Sequence, residues 1–190
     1  MDRFSFFFSF YGLMLGLAVT ELLNGFGKLV RAGEVRKLGW QTGLLALFVL
    51  LVIIATWIDA WESLRGVSLD LAGLWAPVLI AILYYLASTI VFPEHPAEWP
   101  SLDDYFAKRK RVVAVLLLAA EFGVNYTYWP HIQAEAARDP AEWDLFIPYN
   151  IAIKLAFLAL IFVRGKRLNI AVLAALILIF FLPYWHRAAA

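Results

Sequence analysis

Cysteine is absent from the 190 residues, which excludes disulfides, thiolate nucleophiles, Cys-ligated zinc and iron–sulfur clusters. Charge is scarce as well: Asp, Glu, Lys and Arg make up 16% of the chain, against about 25% in soluble domains. Positive and negative side chains nearly cancel, to a formal net charge of +1, so there is no basic excess to recruit nucleic acid. The three histidines, His95, His131 and His186, fall between apolar runs or at the end of one, and none is placed to ligate a haem in a bilayer. There is no P-loop, GxSxG, HExxH or phosphate-cradling glycine loop, and no regular arginine spacing of the voltage-sensor kind. An intramembrane enzyme acting on lipid or an isoprenoid would need a nucleophile, metal set or diphosphate motif, and none is recognisable. Neither enzymatic activity nor a cofactor is therefore expected. If residues 131–139 are helical, His131, Glu135 and Asp139 share a face, the one place where a surface metal could be considered.

What the chain has instead is hydrocarbon. Hydrophobic residues make up 63% of it and the mean hydropathy is +0.75, too apolar for a water-soluble globule. The expected fold is an all-α integral membrane protein, a single domain over residues 1–190. Six apolar runs are separated by charged or proline-bearing interruptions, at about 4–26, 41–61, 75–92, 112–129, 147–163 and 168–185. Each is near the ~20 residues that one crossing needs, so the chain reads as a bundle of six transmembrane helices with short loops. Eleven of the sixteen basic residues fall in the first, third and fifth loops, which places those loops in the cytoplasm and both termini outside. A cleaved signal peptide at the start would send Lys28 to Lys37 outward and break this pattern. The expected address is the inner membrane of a bacterium.

Loop chemistry adds detail. Ser101 and Asp104 have the spacing of a capping box, so a helix should begin near Leu102 and run on into the fourth span. The basic group 108–111 behind Tyr105 and Phe106 reads as an anchor at the cytoplasmic headgroups. Asp139-Pro140-Ala141-Glu142 starts another helix, which makes 131–148 a structured, acidic outer loop. Tryptophans and tyrosines, among them Trp57, Trp61, Trp75, Trp129, Trp143, Tyr149 and Trp185, gather at expected outer ends, with Trp40 and Trp99 at inner ones. FSFFFSFY, from Phe4 to Tyr11, reads as a lipid-facing anchor.

Polar residues inside the spans carry the functional signal, because a charge at mid-bilayer costs several kcal/mol unless paired, protonated or hydrated. Glu121, Asn125 and Tyr128 sit at i, i+4 and i+7 and share one helix face. At a rise of ~1.5 Å per residue Glu121 lies roughly 13 Å in from Val112, near the middle of the slab. Lys154 reaches a similar depth from the other side, so it is the expected partner of Glu121, with Asp59 competing for it and a snorkelling Lys154 without a partner as the third reading. Thr56, Asp59 and Glu62 form a second stripe near the outer end of the second span. Glu21 and Asn24 lie toward the inner end of the first span, where Gly12 and Gly16 make a GxxxG pair suited to close helix contact within the bundle or between copies. The sixth span reads as apolar as far as Tyr184 and as the helix most exposed to lipid. LAVTELLNGF in the first span and LLLAAEFGVN in the fourth share a Glu and a following Asn, a weak echo of an inverted repeat.

Buried carboxylates outnumber buried cations in this reading, which points to protons or small cations. The expectation is a channel or transporter subunit using Glu121, Asn125, Tyr128, Lys154, Asp59 and Glu62, with Glu21 and Asn24 at the inner end, assembled as a homo-oligomer. The alternative is a non-transporting assembly or partner-binding subunit whose buried polar groups serve packing.

Overall fold

Asp2 opens the first helix: its carboxylate accepts the Ser5 N–H at 2.6 Å, meeting one of the donors a helix start leaves unpaired. From there the computed structural model, which describes residues 2–65, 67–68 and 70–189 and side chains as far as Pro183, contains six long helices. They are α1 (Arg3–Arg31), α2 (Trp40–Ser63), α3 (Leu71–Val91), α4 (Leu102–Arg138), α5 (Glu142–Phe162) and α6 (Lys166–Ala189). The described residues contain no strand. All six helices are long and apolar enough to cross a membrane, and each expected span falls inside one of them to within a residue. Readings that rest on the side chains of Tyr184, Trp185, His186 and Arg187 lie outside the described residues.

Short connections make successive helices antiparallel, so the bundle has two ends. Both termini, with the α2–α3 and α4–α5 turns, mark one; the three basic loops mark the other. At the termini end Phe8 packs edge-on against Trp61 at 4.9 Å between ring centroids. At the basic end Lys37 of the α1–α2 connection donates to the Ala97 carbonyl of the α3–α4 connection at 3.4 Å.

Laterally the helices do not follow chain order. α1 packs on α3, α3 on α4, α4 on α5 and α5 on α6, while α2 packs against α1, α3, α4 and α6 and touches α5 through Phe48 and Phe157. α2 is thus the axis of an arc. Its Leu45, Phe48, Val49 and Ile53 are buried, at the i, i+3, i+4 spacing that points side chains one way.

Three expectations need correction. α4 does not end at Trp129: it runs through Pro130 to Arg138, and only residues 139–141 separate it from α5, so the expected loop 131–148 is mostly helix. One proline removes one N–H donor, and α4 continues past it. FSFFFSFY is not wholly a lipid anchor either, because Phe7 and Tyr11 are buried. They begin an inward stripe, Phe7, Tyr11, Leu15, Ala18, Leu22, Gly25 and Leu29, whose spacing of three and four keeps it on one face. And α6 is not simply exposed, since it buries Asn169, Leu173, Leu176 and Phe180.

The basic end is fastened by polar bonds between helices. Ser101 caps α4 by accepting the Asp103 N–H at 3.2 Å, and Asp103, rather than Asp104, has the larger role. Its Oδ1 accepts the Gln41 N–H at 3.1 Å at the start of α2, and its Oδ2 pairs with Lys166 at 2.7 Å. Thr42 donates to the Leu102 carbonyl at 2.8 Å. Lys110 is not part of a solvated basic run: it turns inward, donating to Val163 O and to Asn169 Oδ1 at 2.6 Å. Arg111 donates to Ile161 O at 3.2 Å. Two cations from α4 thus satisfy carbonyls at the C-terminal end of α5, where helix carbonyls lack partners and positive charge is favoured.

Candidate functional site

A cavity of about 450 Å³ occupies the termini half of the bundle. α2 contributes Thr56, Asp59, Glu62 and Ser63; α3 contributes Tyr84; α4 contributes Glu121, Asn125, Tyr128, His131 and Glu135. α5 adds Glu142, Phe146, Tyr149, Asn150 and Phe157, and α6 adds Phe180 and Pro183. The wall therefore runs from the chain-end turns down to Val52, Leu117, Phe157 and Phe180. Below them the bundle is closed: Phe48 meets Phe157 at 5.7 Å and Phe180 at 6.4 Å between ring centroids, over the buried Leu45, Leu160, Leu173 and Leu176. The cavity is one-sided.

Helical periodicity explains the two acidic stripes. Residues 121, 125 and 128 on α4 and 56, 59 and 62 on α2 each repeat at three or four positions, so each set projects to one side of its helix, and both sets line the same space. Glu121 has 19% of its side chain accessible because it borders the cavity. Asn125 Nδ2 holds it in place, donating to Glu121 Oε1 at 3.1 Å and to its backbone carbonyl at 3.0 Å.

Lys154 lies 3.7 Å from Glu121 Oε1, so the structure brings together the two side chains that depth alone had matched. Its shorter bond is to Asn150 Oδ1 at 2.6 Å, and its ammonium sits 5.4 Å from the centre of the Phe122 ring. Asn150 completes the chain by donating to Phe146 O at 3.0 Å. Lys154 is not itself part of the cavity wall. It supports Glu121 from behind, and the wall contains no lysine or arginine among the described residues.

Hydroxyl groups from four helices meet beside these acids. Tyr84 Oη and Thr56 Oγ1 share a hydrogen bond of 3.0 Å, and Tyr128 Oη donates to the Thr56 carbonyl at 3.1 Å. The Tyr11 hydroxyl sits beside that of Tyr128 without completing a hydrogen bond of good geometry. Tyr11 is the participant that the sequence reading missed. Its signal was the register: it falls on the buried stripe of α1 four residues from Phe7 and from Leu15.

Comparison with protein-family models, curated proteins and solved structures finds no match to this chain.

The remaining candidates lie elsewhere. Glu21 and Asn24 are on α1 outside the cavity, Glu21 partly covered and Asn24 exposed, so the echo between the first and fourth spans does not place their two glutamates in one site. Gly12 lies against Trp57, where an added Cβ would come within 2.9 Å of the indole nitrogen, whereas Gly16 faces open space. Only the first of the pair serves contact within the bundle. His131 Nε2 lies 3.4 Å from Glu135 Oε1, but no three His, Asp or Glu residues among those described converge as a metal site. Phe146, Phe157 and Phe180 form an aromatic wall of the cavity that is not legible in the sequence, where they look like ordinary span hydrophobics until the helices are brought together.

Proposed function

We propose that this chain is a multi-pass protein of the bacterial cytoplasmic membrane that moves protons or small cations, with both termini on the outer face. Six apolar helices and basic loops collected at one end support the placement. The observation that carries the transport reading is the one-sided cavity with Asp59, Glu62 and Glu121 in its wall and no lysine or arginine there among the described residues. A carboxylate at that depth needs a cation, a proton or water; Lys154 stands behind Glu121, and the cavity gives protons, cations and water a path to its other side from the termini end. Because the floor is sealed by packed aromatic rings, passage requires a second arrangement that opens toward the basic loops, as in alternating access. Interior prolines suit such a change: Pro77, Pro130, Pro148 and Pro183 all lie in the cavity half, where each omits one ladder hydrogen bond. One chain forms the cavity, so a second copy is not needed to build it.

Purified protein in liposomes with an internal pH dye tests the reading. Flux above that of empty vesicles, reduced about tenfold or more in Glu121→Gln, is the expected result. Flux equal to that of empty vesicles, with no change in the variant, ends it.

A second reading is favoured by one specific observation, the Tyr128–Thr56–Tyr84 hydrogen bonds that fasten α2, α3 and α4. In that reading the polar groups hold together a subunit that binds a partner. Glu121→Gln would then lower the melting temperature and leave the flux of every ion at background.

A further inference from the structure

The cavity lacks a ligand cluster for a tightly bound divalent metal ion and has the size for an organic molecule. A dehydrated divalent ion needs several oxygen or nitrogen ligands within about 2.0–2.6 Å, and the described side chains offer no such convergence. At about 450 Å³ the space falls in the range of roughly 300–1,000 Å³ typical of small-molecule sites, which are mostly apolar with a few placed polar groups.

Its walls are selective in sign. Asp59, Glu62, Glu121, Glu135 and Glu142 line it without a lysine or arginine; Lys154 behind the wall pairs with Glu121 and His131 lies beside Glu135, which leaves an acidic excess. Several of the donors that could offset this negative character are engaged within the protein. Tyr128 donates to Thr56 O, Asn125 to Glu121 and Asn150 to Phe146 O, while Tyr84 and Thr56 bond each other. Carboxylates and aromatic rings thus line one space. Tyr84, Tyr128, Phe146, Tyr149, Phe157 and Phe180 come from four different helices, and aromatic faces attract ammonium-like cations as well as apolar bodies.

We propose that the cavity binds an amphipathic organic cation, its apolar body against the aromatic floor and its charge between the acidic stripes of α2 and α4. The inference rests on the acidic cavity being a solute site, and it names the class of solute.

The test uses the full chain in detergent and two probes of matched size and opposite charge, tetraphenylphosphonium and tetraphenylborate, followed by equilibrium dialysis. Saturable binding of the phosphonium alone is expected, weakened about tenfold or more by Asp59→Asn and by Glu121→Gln, as loss of a charge contact would do. Glu21→Gln, outside the cavity, should bind as wild type does. Asp59 is exposed, so its variant carries the test if Glu121→Gln fails to fold. Equal uptake of both probes, or phosphonium binding indifferent to Asp59→Asn, overturns the proposal. The liposome assay separates the two ideas: Glu121-dependent proton flux without phosphonium binding sinks the organic cation alone, and phosphonium binding without any flux sinks transport alone.

Discussion

Lys110 of α4 and Asn169 of α6 are joined at 2.6 Å inside the basic end of the bundle, and the same ammonium also holds the Val163 carbonyl at the end of α5. Three helices meet on one side chain. Because Lys110 and Asn169 are both about 95% covered, neither can exchange its partner for water.

Lys110→Met should therefore destabilise the protein by about 1–3 kcal/mol, the cost of leaving buried acceptors unpaired. Asn169→Leu removes one of those acceptors, so the double variant should be more stable than the sum of the two single effects implies, by about 0.5–3 kcal/mol. Reversible unfolding in mixed micelles, carried out as a double-mutant cycle, measures the coupling; strict additivity would mean that the two side chains do not interact.

Tyr128→Phe keeps the ring and deletes the bond to the Thr56 carbonyl. Hydrogen bonds between membrane helices average about 0.6 kcal/mol and reach about 1.7, so the loss should fall in that interval. Tyr11→Phe, whose hydroxyl completes no bond, should be neutral or slightly stabilising in the same unfolding assay.

Gly39 has φ +66° and ψ 161° just before α2, a region that is essentially glycine's alone, where other residues cost about 1–3 kcal/mol. A Cβ there would also run into the Asp103 carboxylate that accepts the Gln41 N–H. Gly33 also has positive φ, +68°, but faces open space. Gly39→Ala should consequently lower the melting temperature clearly more than Gly33→Ala, and equal shifts would show that the Asp103 contact contributes nothing.

The start of α3 supplies a pH dependence. Asp70 accepts the Gly73 N–H at 2.9 Å and the Ser68 hydroxyl at 3.1 Å, and these bonds hold its carboxyl below the ordinary carboxylate range. A lowered folded-state value means that the charge stabilises the fold fully above the unfolded value of about 3.9 and ceases to do so as pH falls through the folded one. Asp70→Asn retains a neutral cap, so it should melt below wild type at pH 7 and converge with it at low pH. A constant gap across that range would contradict the assignment.

How much of this was legible beforehand follows from what each signal encodes. The six helices were readable because hydropathy reports them directly, and the stripes at 121/125/128 and 56/59/62 because 100° per residue fixes which side chains share a face. The pairing of Glu121 with Lys154 followed from depth, a quantity that rise per residue gives. Lateral order was not readable, since hydropathy is blind to which helix stands beside which. That is why the central position of α2 and the gathering of Phe146, Phe157 and Phe180 emerged only in three dimensions. Lys110 was hidden for a different reason: within Lys108 to Arg111 an inward lysine has the same composition as an outward one. Asn169 was hidden by its place at the very start of an apolar run.

The central place of α2 imposes an order of events on the growing chain. α2 leaves the ribosome before α4, α5 and α6, yet Phe48 is enclosed by rings from α5 and α6, and Gln41 waits for a carboxylate on α4. Until α6 arrives, the surroundings of Phe48 are unfinished. Premature termination anywhere before residue 166 would leave that helix with an uncovered side, a ready substrate for the proteases that clear incomplete membrane proteins.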